Sequence, residues 1–216
     1  MSYRDALAAL HLLLDRIGET HWRDWIAQDL AEWDAKRSVT HHLSAYGTMG
    51  SLSDLYLSAK VYKIPPGKEP WVQALFENLR SICDSLASSP RLLSSIEGLA
   101  TRIGTWRKVR LHGSKCQSCG YAEVTPQEIE TFLARQEMRP ATLGAFKEGH
   151  LRHLVEQVLS PEPGWETQRA DVVRKVKASR IEMRSREGWM KPCPKCGGGE
   201  TEVAYWTLHG DRFSPT

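Results

Sequence analysis

The sequence predicts an α+β fold that is mostly helical. Apolar residues recur at helical spacing through the first hundred residues, whereas alternating or β-branched stretches occur beside two Cys-x-x-Cys-Gly turns, at 116–120 and 193–197. We therefore expect an N-terminal helical domain at 1–100 and a second domain at 101–216. The second domain should contain a small antiparallel sheet, with a helical insertion at 125–188.

The N-terminal segment predicts three long amphipathic helices. Ser2 and Asp5 form a capping-box pattern before the first helix, and Thr20 is placed to cap the second. We expect the apolar stripes, tryptophans included, to pack in a core, and Cys83 to be a small buried hydrophobe. The stripes are Leu7, Leu10, Leu14 and Ile17, then Trp22, Trp25, Ile26, Leu30 and Trp33, and finally Trp71, Leu75, Leu79, Ile82 and Leu86.

A turn with two glycines follows the second helix, at 46–55, with the sequence Tyr-Gly-Thr-Met-Gly-Ser-Leu-Ser-Asp-Leu. Ser51 is placed to cap a further helix, and Asp54 suits its first turn. The turn resembles that of a family of uncharacterised bacterial proteins, which carry Tyr/Phe-Gly-Gly-Met-Gly-Ser-Phe/Leu-Asn-Asp-Leu; Thr48 and Ser53 depart from the pattern. The resemblance covers residues 7–57 and implies a helical fold and a bacterial source. No established activity comes with it.

Four cysteines, Cys116, Cys119, Cys193 and Cys196, are predicted to hold one Zn²⁺ ion as thiolates. Two residues between paired cysteines let both sulfurs reach one metal, and the glycine after each pair permits the turn beneath it. Because 73 residues separate the pairs, this half resembles a zinc ribbon whose two metal-binding turns are interrupted by an insertion. Four cysteines leave no coordination position for water, which indicates a structural ion.

Two other interpretations of the cysteine pairs stay open. One pair could be a thioredoxin-type redox centre, although the chain lacks the βαβ pattern such a centre needs, or the pairs could be unrelated thiols. Iron also binds four thiolates, but a closed site in a cytoplasmic protein favours zinc. His112, four residues before Cys116, would replace a cysteine ligand only if one pair were wrong.

Strands are expected around the two cysteine turns, and helices between them. Alternating and β-branched residues predict strands at 108–112, 121–125 and 201–209. Turn and capping signals predict helices at 125–138, ending before Pro140, at 143–159 and at 165–187.

The last predicted helix carries the candidate contact surface, in its basic segment 169–186. The cations assigned to this surface are Arg174, Lys177, Arg180 and Arg184. They could neutralise phosphates or meet an acidic protein. The alternative is a solvated face, because Asp171, Glu182 and Glu187 are interleaved with them.

Composition places the chain among ordinary globular proteins, with 41% hydrophobic and 25% charged residues. Residues 1–100 carry 10 basic and 12 acidic side chains, and residues 101–216 carry 19 and 14, so the basic surplus lies in the half with the cysteines. The sequence contains no apolar run of about 20 residues that could cross a membrane, and no signal peptide at its start. A cytoplasmic location is expected.

No catalytic motif accompanies these features. The sequence has no phosphate-binding loop, His-Glu-x-x-His motif or Gly-x-Ser-x-Gly elbow. An enzyme would need a cleft that joins His41, His42 and Asp54, so a catalytic role is not favoured. The leading hypothesis is a non-enzymatic bacterial protein-interaction protein, such as an immunity or antitoxin-like inhibitor. The alternative is a zinc-ribbon regulator that binds nucleic acid through the basic segment 169–186.

Overall fold

The computed structural model describes residues 2–47, 49–89, 109–161, 166–184 and 192–216. The chain forms two compact units: Met1–Arg107 with Glu137–Glu162, and Lys108–Gln136 with Pro163–Thr216. The domain boundary expected near residue 100 lies outside the described residues. Residues 137–162, expected in the second domain, belong to the first unit. The expected α+β fold, mostly helical, is confirmed.

The first unit is built from helices around α1, which contacts α2, α4 and α6. Its apolar residues Leu7, Leu10, Leu14 and Ile17 are fully buried, as the helical spacing predicted. The helices are α1 (Tyr3–Ile17), α2 (Thr20–Lys36), α3 (Thr40–Ser44), α4 (Glu69–Ser88), the C-terminal part of α5 (Pro126–Glu148) and α6 (Leu151–Leu159).

The start of α1 has the predicted capping box. The Ser2 hydroxyl accepts a hydrogen bond from the backbone N–H of Asp5, and the Asp5 carboxylate accepts one from the backbone N–H of Ser2. Two N–H groups that the helix leaves without a partner are thereby satisfied. The second cap differs from the prediction, since the Glu19 carboxylate, and not Thr20, accepts from the N–H of Trp22.

We expect Ser2→Ala to destabilise the first unit by about 1 kcal/mol, the usual cost of losing an N-cap side chain. Urea unfolding followed by helical circular dichroism measures the change. Thr20→Ala, which removes an exposed hydroxyl that does not cap α2, is the control. Equal midpoints for wild type and Ser2→Ala would contradict the prediction.

Two helix predictions were wrong in this unit. Ser51 caps a single 3₁₀ turn, Leu52–Asp54, and the backbone becomes extended at Leu55, so no longer helix follows. Conversely, α5 continues through Pro140 to Glu148. The helix tolerates the missing N–H because Met138 and Phe146, on either side of the proline, are buried. It ends instead at Gly149, which has a left-handed φ of 77°.

The second unit contains a five-stranded sheet in the order β3-β2-β1-β4-β5. Strands β1 and β2 form the predicted antiparallel hairpin, and β4 pairs with β1 in register from Leu111↔Trp206 to Cys116↔Thr201. The β2–β3 pair is parallel, so the sheet is mixed and not purely antiparallel as expected. The strands are β1 (Leu111–Cys116), β2 (Ala122–Val124), β3 (Ile181–Met183), β4 (Thr201–His209) and β5 (Arg212–Pro215).

The chain reaches β3 by ending the preceding helix earlier than predicted. Helix α7 spans Glu166–Ala178 rather than 165–187. Arg180 adopts a left-handed conformation with φ 59°, and Ile181 then pairs with Ala122 of β2. The backbone hydrogen bonds of the sheet therefore override the helical pattern of the sequence.

Gly113 lies at the most crowded point of the sheet. A Cβ built on it would lie 2.4 Å from the carbonyl oxygen of Glu123 and 2.7 Å from the Trp206 ring. The absent side chain allows Trp206 to cover β1 from the core side. Across the described parts of the chain, none of the helices has the length and apolar character needed to cross a membrane.

Candidate metal centre

The two cysteine turns have the same backbone geometry. In the first, the N–H of Gly120 donates to the carbonyl of Cys116 at 2.9 Å; in the second, the N–H of Gly197 donates to the carbonyl of Cys193 at 2.8 Å. Both glycines have a left-handed φ, 70° and 72°. This conformation favours glycine, as the sequence pattern predicted, and it folds each chain segment back beneath its two sulfurs.

The four cysteine sulfurs, which come from both turns, converge on one point. All four Sγ atoms lie within 4.8 Å of one another. Two of the sulfur pairs that join the two turns, Cys116 to Cys196 and Cys119 to Cys193, are each 3.7 Å apart. A tetrahedron of sulfurs around one metal at about 2.3 Å has edges of about 3.8 Å. The cluster therefore has the dimensions of a four-thiolate metal site.

The cluster is tied to the sheet through the first turn. Cys116 is the last residue of β1, and its N–H donates to the carbonyl of Tyr121 at 2.8 Å. The second turn is held mainly by its own bonds, such as the N–H of Cys193 to the carbonyl of Gly198 at 2.7 Å. One further bond, from the N–H of Gln117 to the carbonyl of Glu200, joins the two segments. A bound metal would add four metal–sulfur bonds, two to each cysteine turn, and so join the two segments.

The electrostatics of the cluster favour thiolate at one cysteine and oppose it at its neighbour. The backbone N–H of Cys119, with further help from that of Ser118, lowers the pKa of Cys116 to about 6. The N–H of Tyr121 also favours the thiolate of Cys119, but desolvation and the adjacent sulfurs outweigh it and raise its pKa to about 12. A bound cation removes this conflict because it stabilises all four negative sulfurs together.

Two of the four cysteines are buried and two are exposed. Cys116 and Cys193 are each 2% exposed, whereas Cys119 and Cys196 face solvent. The fifth cysteine, Cys83, is fully buried in α4 of the other unit, as expected for a small hydrophobe. Burial raises the pKa of its thiol well above the ordinary value.

The residues predicted to form a basic contact surface do not share one helix. Arg174 and Lys177 lie on α7, but Arg180 is in the turn after it and Arg184 follows β3. Arg174 is already paired with Asp171 at 2.7 Å and with Asp211 at 3.4 Å. The prediction of one basic helix over 169–186 was therefore wrong, although a surface formed by these residues stays a prediction.

The structure gives Asp54 and the histidines His41 and His42 different hydrogen-bond partners. The Asp54 carboxylate accepts hydrogen bonds from the N–H groups of Gly50 and Ser51 and closes the glycine turn. His41 and His42 instead share a different carboxylate, Asp29 of α2. Sequence analysis missed Asp29, but a signal existed: it stands three residues after Ile26, inside the apolar stripe of α2.

His112 also lies outside the cysteine cluster. Its Nδ1 is 3.1 Å from Glu128 Oε1, and its ring stacks on Tyr205 with centroids 5.1 Å apart. Among the residues that the structure describes, the four cysteines are the group of possible ligands brought together, and His112 is not part of it.

Comparison with known proteins gives one match. Residues 15–63 match the model of a domain of unknown function (DUF6966), which covers less than a quarter of the chain. No curated protein and no solved structure matches significantly. The matched segment lies in the helical unit and contains Asp29, His41 and His42, whereas the cysteine cluster lies outside it.

Proposed function

We propose that the chain is a protein-interaction protein whose four-cysteine cluster holds one structural Zn²⁺ ion. The observation that carries the metal assignment is the close approach of four sulfurs from two chain segments at tetrahedral spacing. Zinc is the ion chosen because a closed set of four thiolates without open positions is typical of structural zinc sites. Such an ion has no position for water or substrate and supplies no chemistry.

Metal analysis tests this proposal. Protein purified without chelator should contain one zinc per chain, and Cys119→Ser should lower the content well below one, because three thiolates and a hydroxyl form a weaker site. Cobalt substitution should give the visible absorption of tetrahedral thiolate coordination. Cys83→Ser is the control and should keep a full equivalent. Iron in place of zinc would overturn the choice of ion, and a metal-free wild type would overturn the site.

We propose that the partner of this chain is a protein and not a nucleic acid. In its narrower form, the proposal is that this chain inhibits that protein, as immunity proteins and antitoxins do. The support comes from charge pairing on α7: Asp171 accepts from both Arg174 and Lys175, so part of the positive charge is neutralised within the chain. Phosphate binding draws on cations that are free to replace counterions. The remaining exposed cations could still meet an acidic protein surface.

Two binding measurements separate the partner classes. We expect purified protein to show no salt-dependent shift of DNA or RNA, and to form a stable complex with a co-expressed protein encoded by a neighbouring gene. The variant Lys177→Glu with Arg180→Glu serves for comparison. If wild type bound nucleic acid with an affinity that fell steeply with salt, and the double variant did not, the nucleic-acid alternative would replace the proposal.

A further inference from the structure

A second polar cluster lies in the helical unit, where Asp29 bridges two adjacent histidines. His41 Nδ1 is 2.5 Å from Asp29 Oδ1, and His42 Nδ1 is 2.8 Å from Asp29 Oδ2. The side chains of Asp29 and His42 are fully buried, whereas that of His41 is 29% exposed. One carboxylate inside the core therefore orients one buried imidazole and one that reaches solvent.

The hydrogen bonds determine which ring nitrogens carry protons. A carboxylate can only accept, so each Nδ1 that contacts Asp29 must donate an N–H. In the neutral imidazole the other nitrogen, Nε2, is then an acceptor. For His42 this acceptor is used, because the Tyr46 hydroxyl lies 3.2 Å from its Nε2. Within the described residues, Nε2 of His41 has no hydrogen-bond partner.

Further contacts fix the orientation of His41. Its ring stacks on Trp25 of α2, with centroids 4.5 Å apart and planes inclined by 25°. Its backbone N–H donates to Glu32 Oε2 at 3.1 Å. The Ser38 hydroxyl and this N–H together lower the pKa of Glu32. The unused acceptor of His41 is thus held in one direction by contacts to three side chains of α2.

We propose that His41 is a proton-accepting site for a hydroxyl-bearing ligand, water included. Asp29 positions the imidazole in the tautomer that leaves Nε2 as a base, the arrangement by which a carboxylate prepares a histidine for general-base work. Asp29 is the positioning residue, and Trp25 limits the rotation of the ring. The site is independent of the cysteine cluster and of the proposed protein partner, and it lies in the segment that matches the domain of unknown function.

Reaction with diethyl pyrocarbonate tests the proposal on the full chain. The Nε2 lone pair attacks a carbonyl carbon of the reagent and ethyl carbonate leaves. The Nδ1 proton then passes to Asp29 or to the departing ethyl carbonate, so the product is a neutral carbethoxy-histidine. Mass spectrometry of peptides gives the rate at each histidine. We expect His41 to react on the order of tenfold faster than His153, because the bond from Nδ1 to Asp29 holds the ring in the tautomer whose Nε2 is unprotonated and nucleophilic. His153 is the more exposed of the two on its helix face, so exposure alone predicts the opposite order.

Two variants show whether Asp29 is the cause. Asp29→Asn should lower the rate at His41 to that of His153, while Asp24→Asn, on the exposed side of the same helix, should leave it unchanged. If Asp29→Asn does not fold, the comparison of His41 with His153 in the wild type decides alone. A wild-type His41 that reacts no faster than His153, or a folded Asp29→Asn protein with an unchanged rate, overturns the proposal.

Discussion

Replacing Cys193 by serine, or removing the metal with a chelator, should unfold the sheet-containing unit and leave the helical unit folded. Structural zinc supplies on the order of 10 kcal/mol of folding free energy in small domains. That is comparable with the whole stability of a domain, about 5–15 kcal/mol. Cys193 is the ligand chosen because, where the structure describes it, its turn is held mainly by its own backbone bonds, such as that from the N–H of Cys193 to the carbonyl of Gly198.

Hydrogen exchange resolved by mass spectrometry measures this effect unit by unit. Peptides from β1 and β4 should lose protection in Cys193→Ser, whereas peptides from α1 and α4 should keep it. Cys83→Ser, which changes a cysteine outside the cluster, should leave the exchange of the sheet as in wild type. Full protection of β1 and β4 after chelation would show that the sheet is stable without metal.

The metal site was accessible from sequence because its signal is local. A pair of cysteines two residues apart, followed by glycine, specifies both the ligands and the turn that carries them, and the structure has both turns with a left-handed glycine. The 73 residues between the pairs did not obscure the pattern. Which ion the sulfurs hold depends on chemistry outside the backbone geometry, so zinc stays a proposal.

The parts of the fold that sequence analysis missed depend on distant contacts. Nothing within residues 178–184 indicates that helix α7 must stop so that Ile181 can pair with β2. The same applies to Pro140, which a local rule places at a helix end but which buried neighbours keep inside α5. Asp29 was missed for the same reason, because its role depends on contacts with two histidines that follow 12 and 13 residues later.

Gly113→Ala should be the most damaging change among the described glycines of the sheet-containing unit, with a loss of about 3 kcal/mol. The added Cβ would lie 2.4 Å from the Glu123 carbonyl oxygen, which is backbone of the paired strand and cannot rotate away. It would also meet Trp206 at 2.7 Å and Val124 at 2.8 Å, so moving β1 away from one contact leaves the others. Relief requires a shift of β1 against β2 or a displacement of the Trp206 ring from the core.

Urea unfolding of the sheet unit, followed by the exchange of β1 and β4 peptides, measures the loss. Gly199→Ala is the matched control, because a Cβ there meets nothing within 4 Å and should leave stability within about 0.5 kcal/mol of wild type.

The crowding at Gly113 and the metal act on the same strand, since β1 ends at Cys116. Gly113→Ala should therefore also weaken metal binding, although it touches no ligand. A Gly113→Ala protein with wild-type stability would mean that β1 and Trp206 are less closely packed than the contacts at Gly113 require.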